Sequence, residues 1–414
     1  MQPTSRSGSK AGQTDRPTPA STIEEAQGAE VAERLSAVEA SDSVDELAES
    51  LADPSLEVAR AAIRRLSELD VAAAVSALRA RMLDSDLALV GEIARALRRL
   101  GDGGVVELAS AGLAERAYPR RLAAARALGA LADARAVDPL RTALADELAA
   151  VRIAALSALA ELGAGSHAAS DCAQLLSDPD AHVRAAAVRC VSRLTTQAGA
   201  LLASLADDED PCVRRELARQ LSTLPEPAAQ ALLTDPDRRV REAAALEAGA
   251  AQVASLGLLL SQDPSRQVRR AAAETLGALG EEAAIEALLS GLEDDDRIVR
   301  AAVLRGLERL LTRPAVIERL CSELRSVRPR RRRASMYALA DLEALEVATE
   351  VWRLADDPDP EVRLALVGVA HSVVAEPDAL LSYLATDAVS TIRHSAEVQR
   401  LRRPHERAAA GSHQ

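Results

Sequence analysis

Residues 260–280 read LSQDPSRQVRRAAAETLGALG. An Asp-Pro turn is followed by Val268, Ala271, Ala272 and Leu276 at helical spacing, and Gly280 closes the segment. The same text returns along the chain. Downstream, LEDDDRIVRAAVLRGLERL occupies 292–310 and LADDPDPEVRLALVGVA occupies 354–370. Upstream, LSDPDAHVRAAAVRCVSRL lies at 176–194 and LADPSLEVARAAIRRLSEL at 51–69. Anchoring each copy on the Val of its Val-Arg pair gives Val58, Leu89, Arg120, Val151, Val183, Val213, Val240, Val268, Val299, Arg331, Val362 and Ile392, spaced 27–32 residues apart. A register kept over twelve copies describes one repeat array, not two or three globular domains.

Each copy reads as two helices. In the ninth, AAIEALLSGLE is a short first helix, DDD the turn and RIVRAAVLRGLERL the second helix. Neither helix can bury its apolar stripe alone, so the pairs must stack. The expected fold is all-α, an αα-superhelix (α-solenoid) of about twelve two-helix repeats. Composition agrees. Phe is absent, with one Trp and three Tyr, while the hydrophobic residues are mostly Ala, Leu and Val, which suits thin layers of closely packed helices.

Two charged columns accompany the anchors. The residue after the anchor is Arg in ten copies, among them Arg152, Arg184, Arg241, Arg269, Arg300 and Arg363. Six residues earlier stands Asp in ten copies, including Asp146, Asp178, Asp235, Asp263, Asp294 and Asp357. Stacking turns these columns into rows of opposite charge. We expect a structural ladder, in which each Asp caps its own helix and meets an Arg of its own or a neighbouring layer. A row present in every layer cannot mark one active site.

The segment 136–163, AVDPLRTALADELAAVRIAALSALAELG, resembles the HEAT-like repeats first associated with phycobilisome lyases, and the resemblance extends over about residues 44–400. It implies the superhelix. That family includes bilin lyase subunits, adaptor proteins and accessory proteins of archaeal taxis systems, so it implies no single activity.

Outside the repeats, residues 1–21 are rich in Ser, Thr, Gly, Pro and Gln and are expected to be disordered. A capping box, Thr22 with Glu25, opens a capping helix assigned to 22–43. The solenoid is assigned to 44–403 and a polar tail to 404–414. The short spacings around Val240, with LPEPAAQALL at 224–233, predict a shortened first helix there.

Several function classes conflict with these residues. A net charge of −13, with Lys present once, opposes general affinity for nucleic acid or anionic membranes. No apolar run approaches the length of a membrane helix and the first residues do not form a signal peptide, so the expected location is cytoplasmic. The four cysteines, Cys172, Cys190, Cys212 and Cys321, contain no CxxC pair and read as buried thiols. Only His405-Glu406 gives the His-Glu pair that an iron site on stacked helices would use. No phosphate loop or nucleophile–base arrangement occurs, so no catalytic residue, metal or cofactor is assigned.

One layer breaks the pattern. RSVRPRRRRASM, residues 325–336, is the turn and second-helix start of the tenth copy, with six arginines. Arg332 is its ladder residue, but Ser326 fills the column that is acidic in every other copy. Arg328, Arg330, Arg331 and Arg333 crowd a helix start whose dipole opposes cations. Either the acids of the flanking turns, 293–296 and 356–359, strap them internally, or they bind an acidic partner surface or phosphate. Tyr337 and Trp352 follow within one layer, and Arg, Tyr and Trp are enriched at binding hot spots.

These residues favour a non-enzymatic adaptor or assembly factor that binds protein partners with an acidic contact surface, and neither nucleic acid nor membrane. The alternatives are a bilin-lyase-like chaperone or transferase subunit and a signalling adaptor in an archaeal taxis pathway.

Overall fold

A computed structural model describes residues 19–69 and 71–410, with side chains over 27–401 except at 70 and 166. The Thr22–Glu25 capping box and His405-Glu406 lie outside the described side chains. The stretch 1–21 lies outside the described residues apart from its last three, which open the helix Pro19–Ala40.

Among the described residues the regular structure is helical, with 25 α-helices and no strand. The chain forms two compact units, divided after Thr196. In the first, the helix Pro19–Ala40 packs on Leu56–Leu69 and five helix pairs follow, from Val44–Ser50 with Leu56–Leu69 to Gly165–Gln174 with Ala181–Leu194. The second holds seven pairs, from Ala198–Leu202 with Pro211–Ala218 to Pro377–Leu384 with Ser390–Ala410. Twelve layers, five and seven, match the twelve anchors. The last helix runs into the stretch 404–414 assigned as a tail, where Ala, Arg and Glu favour helix.

Inside each unit second helices pack on second helices, as Tyr118–Leu131 does on Ala149–Leu162 and Arg266–Leu279 on Arg297–Leu310. First helices make their own row, as Val253–Gln262 does against Ala284–Gly291. The anchors Val58, Val151, Val183, Val213, Val240, Val268, Val299 and Val362 are all buried between the rows. Small residues let the axes close up. A Cβ on Gly277 would lie 2.4 Å from the Cα of Gly306 on the next second helix. Rings would not fit there, which is the physical sense of a core without Phe. Gly163 and Gly280 end their helices at φ of 61° and 75°, in the left-handed region that glycine enters without strain.

The short spacings have a different origin from the one expected. The first helix Glu226–Leu233 has 8 residues, like Val105–Gly112 and Ala284–Gly291. The second helices are the short ones: Pro211–Ala218 and Arg238–Leu246 have 8 and 9 residues, against 14 for Arg266–Leu279. After Ala218 the chain makes a tight turn at Leu221–Thr223 and meets Pro225, which restricts the residue before it to extended backbone.

Cys172 and Cys190 are buried, with their Sγ atoms 3.1 Å apart across the two helices of the fifth layer. The hydrogen bond to Cys172, and then burial, push the Cys190 thiol far above its ordinary range. Cys212 and Cys321, expected to be buried, are only half-buried. Among the described residues no helix is long and apolar enough to cross a membrane.

Candidate partner-binding site

The ladder is real geometry, and it differs in one part from the expectation. Each column Arg folds back so that Nη1 donates to the backbone carbonyl six residues earlier: Arg152 to Asp146, Arg241 to Asp235 and Arg269 to Asp263, at 2.9, 2.7 and 2.9 Å. Arg184 does the same to Asp178 at 2.9 Å. The other edge of the guanidinium reaches the carboxylate of the next layer. Arg121 meets Asp146, Arg152 meets Asp178, Arg241 meets Asp263, Arg269 meets Asp294 and Arg363 meets Asp387, at 2.5–2.8 Å. At the N-terminal edge Arg34, from the helix Pro19–Ala40, takes Asp53.

The column Asp does not cap the second helix. Its Oδ1 accepts from the backbone N–H two residues on: Asp146 from Leu148, Asp235 from Asp237 and Asp294 from Asp296, at 2.8–2.9 Å. That closes an Asx turn. Capping belongs to the second acid of the turn, where Asp180, Asp237, Asp296 and Asp359 accept from His182, Arg239, Ile298 and Glu361 at 2.7–2.8 Å. The column Asp stands too far before the helix to reach its first amides.

Two arginine–carboxylate pairs, one a rung and one outside the ladder, set a pH response. The Arg363 guanidinium holds the Asp387 carboxyl below its ordinary value, and Arg79 does so for Asp102. A carboxylate with a depressed folded value binds fewer protons folded than unfolded. Its contribution is therefore fully present above the unfolded value of about 4 and is lost as pH falls through the folded value. Urea denaturation should give a constant midpoint from about pH 7 to about pH 5 and a falling one below about pH 4.

At the tenth layer the expected cluster separates into three groups. Arg332 is an enclosed rung: Nε and Nη2 donate to Asp357 at 2.7 and 2.6 Å, and Nη1 to the Ser326 carbonyl at 2.8 Å. Arg331, at the anchor position, turns inward and pairs with Glu323 at 2.7 Å and Glu286 at 3.8 Å. Arg333 reaches Glu361 at 3.5 Å. Internal acids thus strap Arg331 and Arg333, but they come from Glu286, Glu323 and Glu361, not from the flanking aspartate runs. Arg328 and Arg330 are exposed, and no carboxylate lies within ion-pair distance of either among the described residues. Arg328 occupies the N-cap and offers the helix no side-chain acceptor.

The aromatic residues also separate. Arg330, Arg333 and Tyr337 lie three and four residues apart on the outward face of Pro329–Asp341, and Tyr337 is 38% exposed. Trp352 ends the first helix Ala348–Trp352, in the other row, and pairs with Tyr383 at a centroid distance of 6.2 Å. Tyr383 donates its hydroxyl to Asp356 at 2.6 Å. First and second helices face opposite sides of a two-row stack, so Trp352 does not share the arginine face. Reasoning from sequence missed Val327, 93% exposed at the tip of this turn, where many copies have Pro. It also missed Glu286 and Glu323, whose pairing with Arg331 spans two layers. Among the described residues no group of His, Cys, Asp and Glu is placed to hold a metal ion.

The family model described as HEAT repeats matches residues 149–222, 170–249 and 253–340, and that described as PBS lyase HEAT-like repeat matches 121–146. No curated protein matches the sequence. Among solved structures, the chain is similar to one in a complex of Kap95p with RanGDP, at 14% identity and a TM-score of 0.47. That match covers 93% of this chain and 65% of that one. A structure of Kap121p bound to Nup53p is matched at 11% identity and 0.42, over 86% and 45%. The complex of CpcE and CpcF of phycocyanin lyase from a Nostoc species is matched at 22% identity and 0.30, over 66% and 96%. The chain thus spans under two thirds of the length of the first two.

Proposed function

We propose, from the premise that this chain is a HEAT-like repeat protein, that it is a non-enzymatic adaptor. In this reading it binds an acidic protein surface on the second-helix face of its tenth layer. One observation carries the reading: the turn 325–330 presents exposed Arg328 and Arg330 beside exposed Val327, with no acid in the turn, in a chain of net charge −13. Unpaired guanidinium groups around an apolar tip, with Tyr337 on the same helix face, have the composition of an interface hot spot. Arg331 belongs to the fold and Trp352 to the other row, so neither is part of this contact.

A bilin-binding role gains no residue-level support, since Trp352 with Tyr383 is the one ring pair among the described residues and stands alone. Nothing on the surface favours a taxis adaptor over another adaptor.

The test compares wild type with Arg328→Gln/Arg330→Gln in capture from lysate of the native host, quantified by mass spectrometry. The double variant should keep its helical circular dichroism and melting temperature while losing about tenfold or more of a specific acidic protein. Added salt should weaken the wild-type capture. Unchanged capture would sink the proposal. So would tight binding of DNA or RNA with a steep salt slope.

A further inference from the structure

The ladder has a missing rung. Arg300 is set in place as its neighbours are, with Nη1 donating to the carbonyls of Asp294 and Asp295 at 2.8 and 3.0 Å. Arg269 is held by the same two bonds, at 2.9 and 3.3 Å, and its free edge then grips Asp294 through Nε at 2.5 Å and Nη2 at 3.0 Å. The acceptor that should face the free edge of Arg300 is position 326, where Ser replaces Asp. Among the described residues no carboxylate lies within ion-pair distance of Arg300. Within each unit, every other column Arg followed by a further layer meets a carboxylate there. The Ser326 hydroxyl keeps the local turn by accepting from the Arg328 N–H at 3.3 Å, so the loop retains its shape without the acid.

The geometry points to this gap as the receptor for one carboxylate supplied by the partner: an Asp or Glu side chain that enters beside Ser326 and completes the rung on Arg300. This rests on the adaptor reading above and names what the partner brings. Three features fit that ligand. The donor edge of Arg300 is preorganised for two parallel bonds, the arrangement in which a guanidinium binds a planar carboxylate best. Ser is shorter than Asp by one C=O unit and brings no charge to meet the guanidinium. Exposed Arg328 and Arg330 follow Ser326 in the same turn and helix start and would steer an acidic segment toward it.

The reading makes Ser326→Asp the decisive variant, because it fills the gap from within. Its probe is an acetylated, amidated peptide of alternating Asp and Glu, titrated at constant ionic strength. Wild type should bind it. Ser326→Asp should bind at least about tenfold more weakly, the scale of losing a charge-assisted pair, while melting at a higher temperature. Arg300→Gln should weaken binding similarly without that rise. A gap that is only a defect in the ladder would give the higher melting temperature with unchanged peptide affinity, which overturns the inference. Loss of binding in Arg328→Gln/Arg330→Gln, with none in Ser326→Asp or Arg300→Gln, would overturn it and leave the adaptor reading standing. Peptide affinity unchanged in all three would sink both. Inorganic phosphate provides the last arm: if it binds wild type and is lost in Ser326→Asp while the peptide does not bind, the carboxylate assignment is wrong.

Discussion

Asp357→Ala is expected to lose about 3–5 kcal/mol of stability, the usual cost of removing one partner of a buried ion pair. Asp357 and Arg332 are 6% and 8% exposed. Oδ1 and Oδ2 of Asp357 take Nη2 and Nε of Arg332, and Oδ1 also takes the Asp359 N–H. Truncation therefore leaves a buried guanidinium with only its carbonyl bond to Ser326, and opens the Asx turn. Loss of a helix cap alone would cost about 0.5–2 kcal/mol, so the magnitude separates the two roles. The paired control is Arg332→Met/Asp357→Leu, which removes both charges and should lose far less than the single change. Denaturant unfolding reads the total, and amide exchange in the tenth and eleventh layers reads the local effect, which matters because repeat arrays need not unfold in one step. A loss below about 1 kcal/mol for Asp357→Ala would show that the rungs decorate the stack without holding it.

Gly277→Ala is the second large effect. Helix propensity alone favours Ala over Gly by about 1 kcal/mol. Against that, the new methyl would sit 2.4 Å from the Gly306 Cα and 3.3 Å from its carbonyl group. These are backbone atoms that cannot rotate aside, so the two second helices must move apart and the layers around them must loosen. Overpacking of this kind costs about 1–3 kcal/mol or more and should exceed the propensity gain. Gly368, inside Pro360–Val373, has nothing within 4 Å of its Cβ position. Gly368→Ala should therefore stabilise by up to about 1 kcal/mol. Melting curves of the two variants should move in opposite directions. If both rise, the helices Arg266–Leu279 and Arg297–Leu310 are not in the close contact described.

The repeat was legible because its cause is local. A turn acid and an apolar 3.6-residue stripe recur in 260–280 and its copies, and each signal acts within a few residues of itself. That gave the two-helix unit, the twelve layers and the identity of the aberrant turn at Ser326. Partners were not legible, because they lie across layers. The Arg241–Asp263 and Arg332–Asp357 rungs join residues 22 and 25 apart in sequence, and only the rise and rotation between layers decide which acid an arginine meets. Sequence therefore placed Asp263 as a cap, whereas the tertiary structure uses it as a turn acid and a rung. It also grouped Trp352 with the arginines, because chain distance does not say which row a helix occupies. Arg331 and Arg330 are neighbours in one run of identical residues. The helix turns its side chains by about 100° per residue, and the stack alone determines that Arg331 faces Glu323 while Arg330 faces water.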